Sequence, residues 1–282
     1  MYKIGVIGAG VMGIGVAQKF AQYGNQVILL DISFEIAEQS KKNINNNIRM
    51  YNMFNRDKKI ENIEGILEKI KCTDNYEDLK DVDFVIENVP ENIEIKKNVY
   101  LELEKVCKAE CIYMVNTSCV SITKVGSYTH RADKVIGTHF MNPVPLKKAS
   151  EVIKGYHTSE ETINAVKEML NSVDINPIIV NDYPGFVSNR ISHLLMNEAA
   201  YVVQDGVASP EDVDKIFQQC FEHKMGPLAT ADLIGLDTVV NSLDVLYESY
   251  QDPKFRVCPL LRKMVDAGLY GRKSGKGFYE YI

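Results

Sequence analysis

A chain of 282 residues can bury a substantial core in one large or two modest domains, and its net charge of -6 argues against nucleic acid or an anionic membrane as main partner. Its six cysteines show no C-x-x-C or zinc spacing, so they read as reduced thiols of a cytoplasmic protein. No stretch is long and apolar enough to span a bilayer, glycines and Asp31 interrupt the N-terminal apolar run too early for a signal peptide, and no internal repeat is visible.

Lys3 to Ile7 is an apolar run of buried-strand type. It enters Gly8-Ala9-Gly10-Val11-Met12-Gly13, a G-x-G-x-x-G turn, then helix formers to about Tyr23 and a second strand, Gln26 to Leu30, ending on Asp31. In such a unit Gly8 permits the tight turn, Gly10 lets the backbone approach a pyrophosphate, and Gly13 allows close helix–strand packing. The N–H groups at the helix start then face the phosphates. Asp31 can accept from both hydroxyls of an adenosine ribose and would repel a 2′-phosphate, and no Arg or Lys stands in Ile32 to Ile36. A lone glycine motif is weak, but strand, turn, helix, strand and terminal acid in order predict an NAD site.

Ser33 caps a helix predicted to run to about Met53, and the polar stretch Asn55 to Gly65 turns into a shorter one. Strands are expected over Glu68–Thr73, Asp83–Glu87, Ile112–Val115, Lys134–Thr138, Glu151–Ile153 and Pro177–Val180. Helices are expected over Asn92–Cys107 and Thr158–Val173. This alternation argues for a doubly wound, mostly parallel α/β sheet over residues 1–182. From Pro184 on, apolar residues recur at helical spacing only, which predicts an all-helical domain over 183–282. Its expected helices are Gly185–Gln204, Pro210–Phe221, Leu228–Ile234, Leu236–Tyr250 and Pro259–Ala267.

The chain resembles the short-form 3-hydroxyacyl-CoA dehydrogenase family over nearly its whole length. The resemblance rests on Ile7–Gly15, Asn116-Thr117-Ser118, Gly137–Pro145, Pro184–Arg190, Met225–Leu228, Asp232–Thr238 and Gly271–Tyr279, in that order. It implies reversible oxidation of a 3-hydroxyacyl thioester by hydride transfer to NAD, and a homodimer built through the helical domain. Apolar runs such as Leu233–Val240 and Leu243–Tyr247 also exceed what one small core easily buries.

Oxidising a secondary alcohol requires a base for the hydroxyl proton. Of five histidines, His130 and His157 sit in polar loop-like contexts, and His193 and His223 belong to the helical part, where packing or capping is the simpler role. His139 instead closes a strand at the carboxyl edge of the sheet, where doubly wound folds bind ligands. The resemblance gives Glu151 the task of holding and stabilising that imidazole. It places Ser118 and Asn189 on the substrate, and Glu91, Lys96, Asn142 and Lys273 on NAD. Taken singly, Glu151 reads as a strand-end acid, Ser118 as a turn residue, Asn189 as a local backbone partner and the others as surface. No His, Asp or Glu cluster has metal-ligand spacing.

Two departures bear on what carries the acyl group. Phe54 falls where the family has a phosphate-contacting Lys, and Asn47 where it has a Ser, with Lys58 and Lys59 close enough to compensate. Lys147 and Lys148 replace a more apolar run and, with Arg49, suit an acidic partner surface. This pattern resembles a subgroup from polyketide pathways that acts on hydroxyacyl groups held by an acyl carrier protein, for instance a glyceryl thioester on its way to an extender unit. A carrier-protein substrate is therefore expected, with a CoA thioester of fatty-acid or butyrate metabolism as the alternative. A dehydrogenase of small 3-hydroxy acids would use a catalytic Lys, against the His139–Glu151 pair. A non-catalytic NAD-binding relative would not keep every catalytic position.

Overall fold

A computed structural model describes residues 1–55, 57 and 59–281, which divide into two units, Met1–Asp182 and Tyr183–Ile282. Lys58, considered above as a compensating cation, lies outside the described residues.

The first unit is an eight-stranded sheet. In chain order it comprises β1 (Lys3–Ile7), α1 (Val11–Gln22), β2 (Gln26–Leu30), α2 (Phe34–Phe54), α3 (Ile63–Glu68), β3 (Ile70–Thr73), β4 (Phe84–Glu87), α4 (Ile93–Val106), β5 (Ile112–Asn116), α5 (Ile122–Gly126), β6 (Val135–His139), β7 (Ala149–Lys154), α6 (Glu160–Asn171) and β8 (Asn176–Asn181). Strand order is β3-β2-β1-β4-β5-β6-β7-β8. Every pair is parallel except β6 with β7. The central strands β4, β5 and β6 are buried along their whole length, as a parallel sheet covered on both faces requires. Sequence caps set the helix starts. Ser33 accepts from Ile36 N at the head of α2, and Asn92 accepts from Glu94 N and Ile95 N at the head of α4.

The second unit packs α7 (Ser188–Gln204), α8 (Pro210–Cys220), α9 (Pro227–Ile234), α10 (Leu236–Tyr250) and α11 (Pro259–Asp266) around its own core. α7 starts later than its apolar spacing predicts, because Gly185 (φ 76°) and Phe186 (φ 49°) take left-handed conformations. Asp214 accepts from Leu228 N and Ala229 N at the head of α9. Asp232, fully buried, accepts from Phe278 N and Tyr279 N and so anchors the C-terminal segment. The apolar runs expected to face a second copy are largely consumed internally. Leu236, Val239, Val240, Leu243 and Leu246 are core, and Leu233, Ile234 and Tyr247 stay exposed.

Candidate active site

The carboxyl ends of β1, β2, β4, β5 and β6 bring their following loops to one edge of the sheet. At β1 the chain turns through Gly8 (φ 89°), whose N–H donates to Leu30 O at 2.8 Å. A Cβ on Gly13 would collide with the Gly8 carbonyl, so α1 can lie this close to the strand only with glycine there. At Gly10 an added Cβ would meet nothing within 4 Å, which leaves the backbone open to an approaching ligand. α1 has no side chain capping its start and no acid in its first turn. Its first N–H groups therefore suit an anion, and the turn from Gly8 through Ala9, Val11 and Met12 to Gly13 fits a dinucleotide pyrophosphate. Asp31, just past β2, accepts from Ala9 N at 2.5 Å and Ile32 N at 2.7 Å, tying the acid to the glycine turn.

His139 ends β6 and is 7% exposed; Glu151 on β7 is 8% exposed. They are Cα partners in the antiparallel pair, and His139 Nδ1 lies 2.9 Å from Glu151 Oε2. A carboxylate only accepts, so the proton of a neutral imidazole belongs on Nδ1 and the Nε2 lone pair faces outward. Ser118 Oγ stands 3.2 Å from that Nε2. A cavity of about 220 Å³ opens over His139, Ser118, Asn116, Glu91 and Met12. Structure thus joins Ser118, His139 and Glu151 in one relay, with Glu151 a buried partner of the imidazole and no solvated strand-end acid.

The loop after β5 is held from beneath. Asn116 Nδ2 donates to Asn88 Oδ1 at 2.7 Å, and Asn116 Oδ1 accepts from Phe140 N at 3.3 Å, which ties the ends of β4, β5 and β6 together. Glu91 accepts from Thr117 Oγ1 at 2.7 Å and from Ser118 N at 2.5 Å. Lys96, expected on NAD, instead has no exposed side-chain area. Its ammonium donates to both carboxylate oxygens of Glu87 at 2.9 Å and to Asn116 O at 3.4 Å. Burial pushes the Glu87 carboxyl up, against the pull of Lys96. Sequence reasoning did not single out Asn88, Asn116, Thr117 or Glu87. Asn116 and Thr117 sit inside a quoted motif, but nothing local marks Glu87.

Asn142 is exposed and lines a separate cavity of about 370 Å³ with Asn47, Tyr51 and Phe54 of α2 and Leu146. That cavity is mostly apolar in its side chains, as the Phe54 substitution suggests. In the second unit, Lys273 Nζ contacts Asp237 Oδ1 at 2.5 Å, and the Asn189 carbonyl faces His193 Nδ1 at 2.9 Å, a local i,i+4 contact within α7. Two of the three basic residues expected to greet a carrier have partners of their own. Arg49 donates to Asn45 Oδ1, and Lys148 pairs with Asp174.

Comparison with known proteins gives the same answer along the whole chain. The NAD binding domain of 3-hydroxyacyl-CoA dehydrogenase matches residues 3–183, and the C-terminal domain of that family matches residues 185–281. A probable 3-hydroxybutyryl-CoA dehydrogenase of Deinococcus radiodurans is 44% identical, over 99% of this chain and 100% of its own. The 3-hydroxybutyryl-CoA dehydrogenase of Clostridioides difficile is 43% identical over 99% of both. The crystal structure of (S)-3-hydroxybutyryl-CoA dehydrogenase from Ralstonia eutropha superposes with a TM-score of 0.96 at 39% identity, covering 100% of this chain and 99% of that one.

Proposed function

The chain belongs to the 3-hydroxyacyl-CoA dehydrogenase family, NAD-dependent oxidoreductases acting on a secondary alcohol, and from that premise we propose that its substrate is a short 3-hydroxyacyl group carried on CoA, as in 3-hydroxybutyryl-CoA. The observation that carries the chemistry is the Ser118–His139–Glu151 relay. Bound NAD supplies the hydride acceptor. His139 Nε2 takes the proton of the substrate hydroxyl, and the imidazolium so formed is stabilised by Glu151. Ser118 Oγ, beside Nε2, holds the same substrate oxygen in line. In the reverse direction His139 returns the proton to the ketone oxygen. The glycine turn, Asp31, Glu91, Asn142 and Lys273 are assigned to the cofactor, and Asn189 to the substrate carbonyl.

The preference for CoA replaces the expected acyl carrier protein. Full-length relatives at more than 40% identity are named for CoA thioesters. The test compares kcat/KM for 3-hydroxybutyryl-CoA and for the same acyl group on a carrier protein, following NADH formation. CoA is expected to win by at least about tenfold, a difference of about 1.4 kcal/mol in transition-state binding. A carrier-bound substrate winning by that margin would reinstate the other reading.

We further assign a homodimer through the helical unit, whose exposed Ile191, Phe221 and Leu233 leave apolar surface to cover. Sedimentation showing a monomer would remove it. We also propose a cytoplasmic location, which six cysteines without a disulfide support; no described helix is long and apolar enough to cross a membrane.

A further inference from the structure

We infer that Glu87 is a positioning residue of the active site, acting through Lys96 and Glu91 to fix the Ser118 turn over His139. This rests on the dehydrogenase reading above.

A salt bridge with both side chains fully buried is a poor stability device, because desolvation offsets most of the attraction and an apolar pair of similar volume often does as well. Its value must lie in what it holds. Glu87 ends β4, and its carboxylate is bonded by the loop and the helix that follow that strand. It accepts from Val89 N at 2.7 Å, from Tyr100 Oη at 3.4 Å, and twice from Lys96 at 2.9 Å. Lys96 turns its third proton to the Asn116 carbonyl, the last residue of β5, and lies 3.5 Å from Glu91 Oε2. Glu91 in turn holds Ser118 by its N–H, and Ser118 Oγ reaches His139. The charges alternate along this chain: carboxylate, ammonium, carboxylate. Glu87 is what keeps the ammonium off Glu91. Without that counter-charge, Lys96 closes on Glu91 and draws it from Ser118 N and Thr117 Oγ1, and the turn loses its support.

Glu87→Gln keeps the shape and removes the charge. Its kcat with 3-hydroxybutyryl-CoA should fall by roughly 10- to 100-fold, the scale of a small misplacement of a reacting group, and its melting temperature should drop because the buried Lys96 ammonium loses its main counter-charge. Hydrogen exchange in the peptide spanning 112–121, which contains the Ser118 amide, should quicken. The double variant Glu87→Gln/Lys96→Met has no unpaired buried charge. It should recover stability and, having lost the Lys96 ties to Asn116 O and Glu91, still turn over slowly, which a purely structural role would not allow. If the single variant does not fold, the double variant carries the same two readouts. Wild-type kcat in a folded variant, or unchanged exchange at the turn, would overturn the inference. An inactive wild type would count against the substrate reading instead, and the exchange measurement would still decide this one.

Discussion

His139 and Glu151 sit directly opposite each other across the one antiparallel pair of the sheet, with Nδ1 and Oε2 2.9 Å apart. Opposed residues in such a pair share a face, so the imidazole and its carboxylate are aligned by backbone hydrogen bonding before any side chain chooses a rotamer. The pair is held on strands and not on loops, a rigid support for a proton-transfer group.

His139→Gln should retain NADH binding and lose roughly 10²- to 10⁴-fold in kcat, the usual yield of general acid–base catalysis. Glu151→Gln should lose less, since it keeps an oxygen for Nδ1–H while giving up the charge. Steady-state kinetics beside NADH fluorescence titration check both, and full activity in His139→Gln would take His139 out of the mechanism.

Gly10 and Gly13 should respond in opposite ways to alanine. Gly10 has an extended backbone with φ -73° and open space around a new Cβ, so Gly10→Ala should leave the melting temperature unchanged and weaken NADH binding. In Gly13→Ala the methyl strikes the Gly8 carbonyl, and stability should fall by about 1–3 kcal/mol, as overpacking usually costs. Equal losses of stability in the two variants would contradict this division of labour.

Asp31→Ala should narrow the preference for NAD over NADP by removing repulsion of the 2′-phosphate. The same change frees Ala9 N, so affinity for NAD should fall too. Wild-type kinetics alike with both cofactors would end this assignment.

Cys119, next to Ser118, is shielded from thiol chemistry. Burial, helped by the Glu91 charge, pushes its thiol up to about 11, so at pH 8 it stays protonated and a weak nucleophile. Limited iodoacetamide treatment at pH 8 should label the exposed Cys220 first and spare activity. Peptide mapping that finds Cys119 alkylated at the same rate would refute it.

The dinucleotide-binding half was legible because its signals are local: a glycine turn between two strands, a cap at Ser33, an acid at Asp31. His139 was singled out by its place at a strand end. Strand direction was not legible, since alternation of apolar residues is the same for β7 in either sense, and so the opposition of His139 and Glu151 could be inferred only through likeness. Lys96, which the resemblance placed on NAD, passes for surface on its own for a related reason. Its helix offers two lysines side by side, and only Glu87, on a different strand, decides that Lys96 points inward while Lys97 does not share that partner. The late start of α7 depends on left-handed residues that apolar periodicity cannot register.

The reversal at β7 also makes the connection between β6 and β7 a measuring rod. Surface loops usually absorb an extra residue without harm. Here a single insertion or deletion between Phe140 and Lys148 that slipped β7 along β6 would turn Glu151 to the far side of the sheet and bring a neighbour, Ser150 or Val152, opposite His139. Asn142 aside, the segment should therefore tolerate many changes of letter and almost none of length, and a library that varies length alone would see activity vanish while the protein still folds.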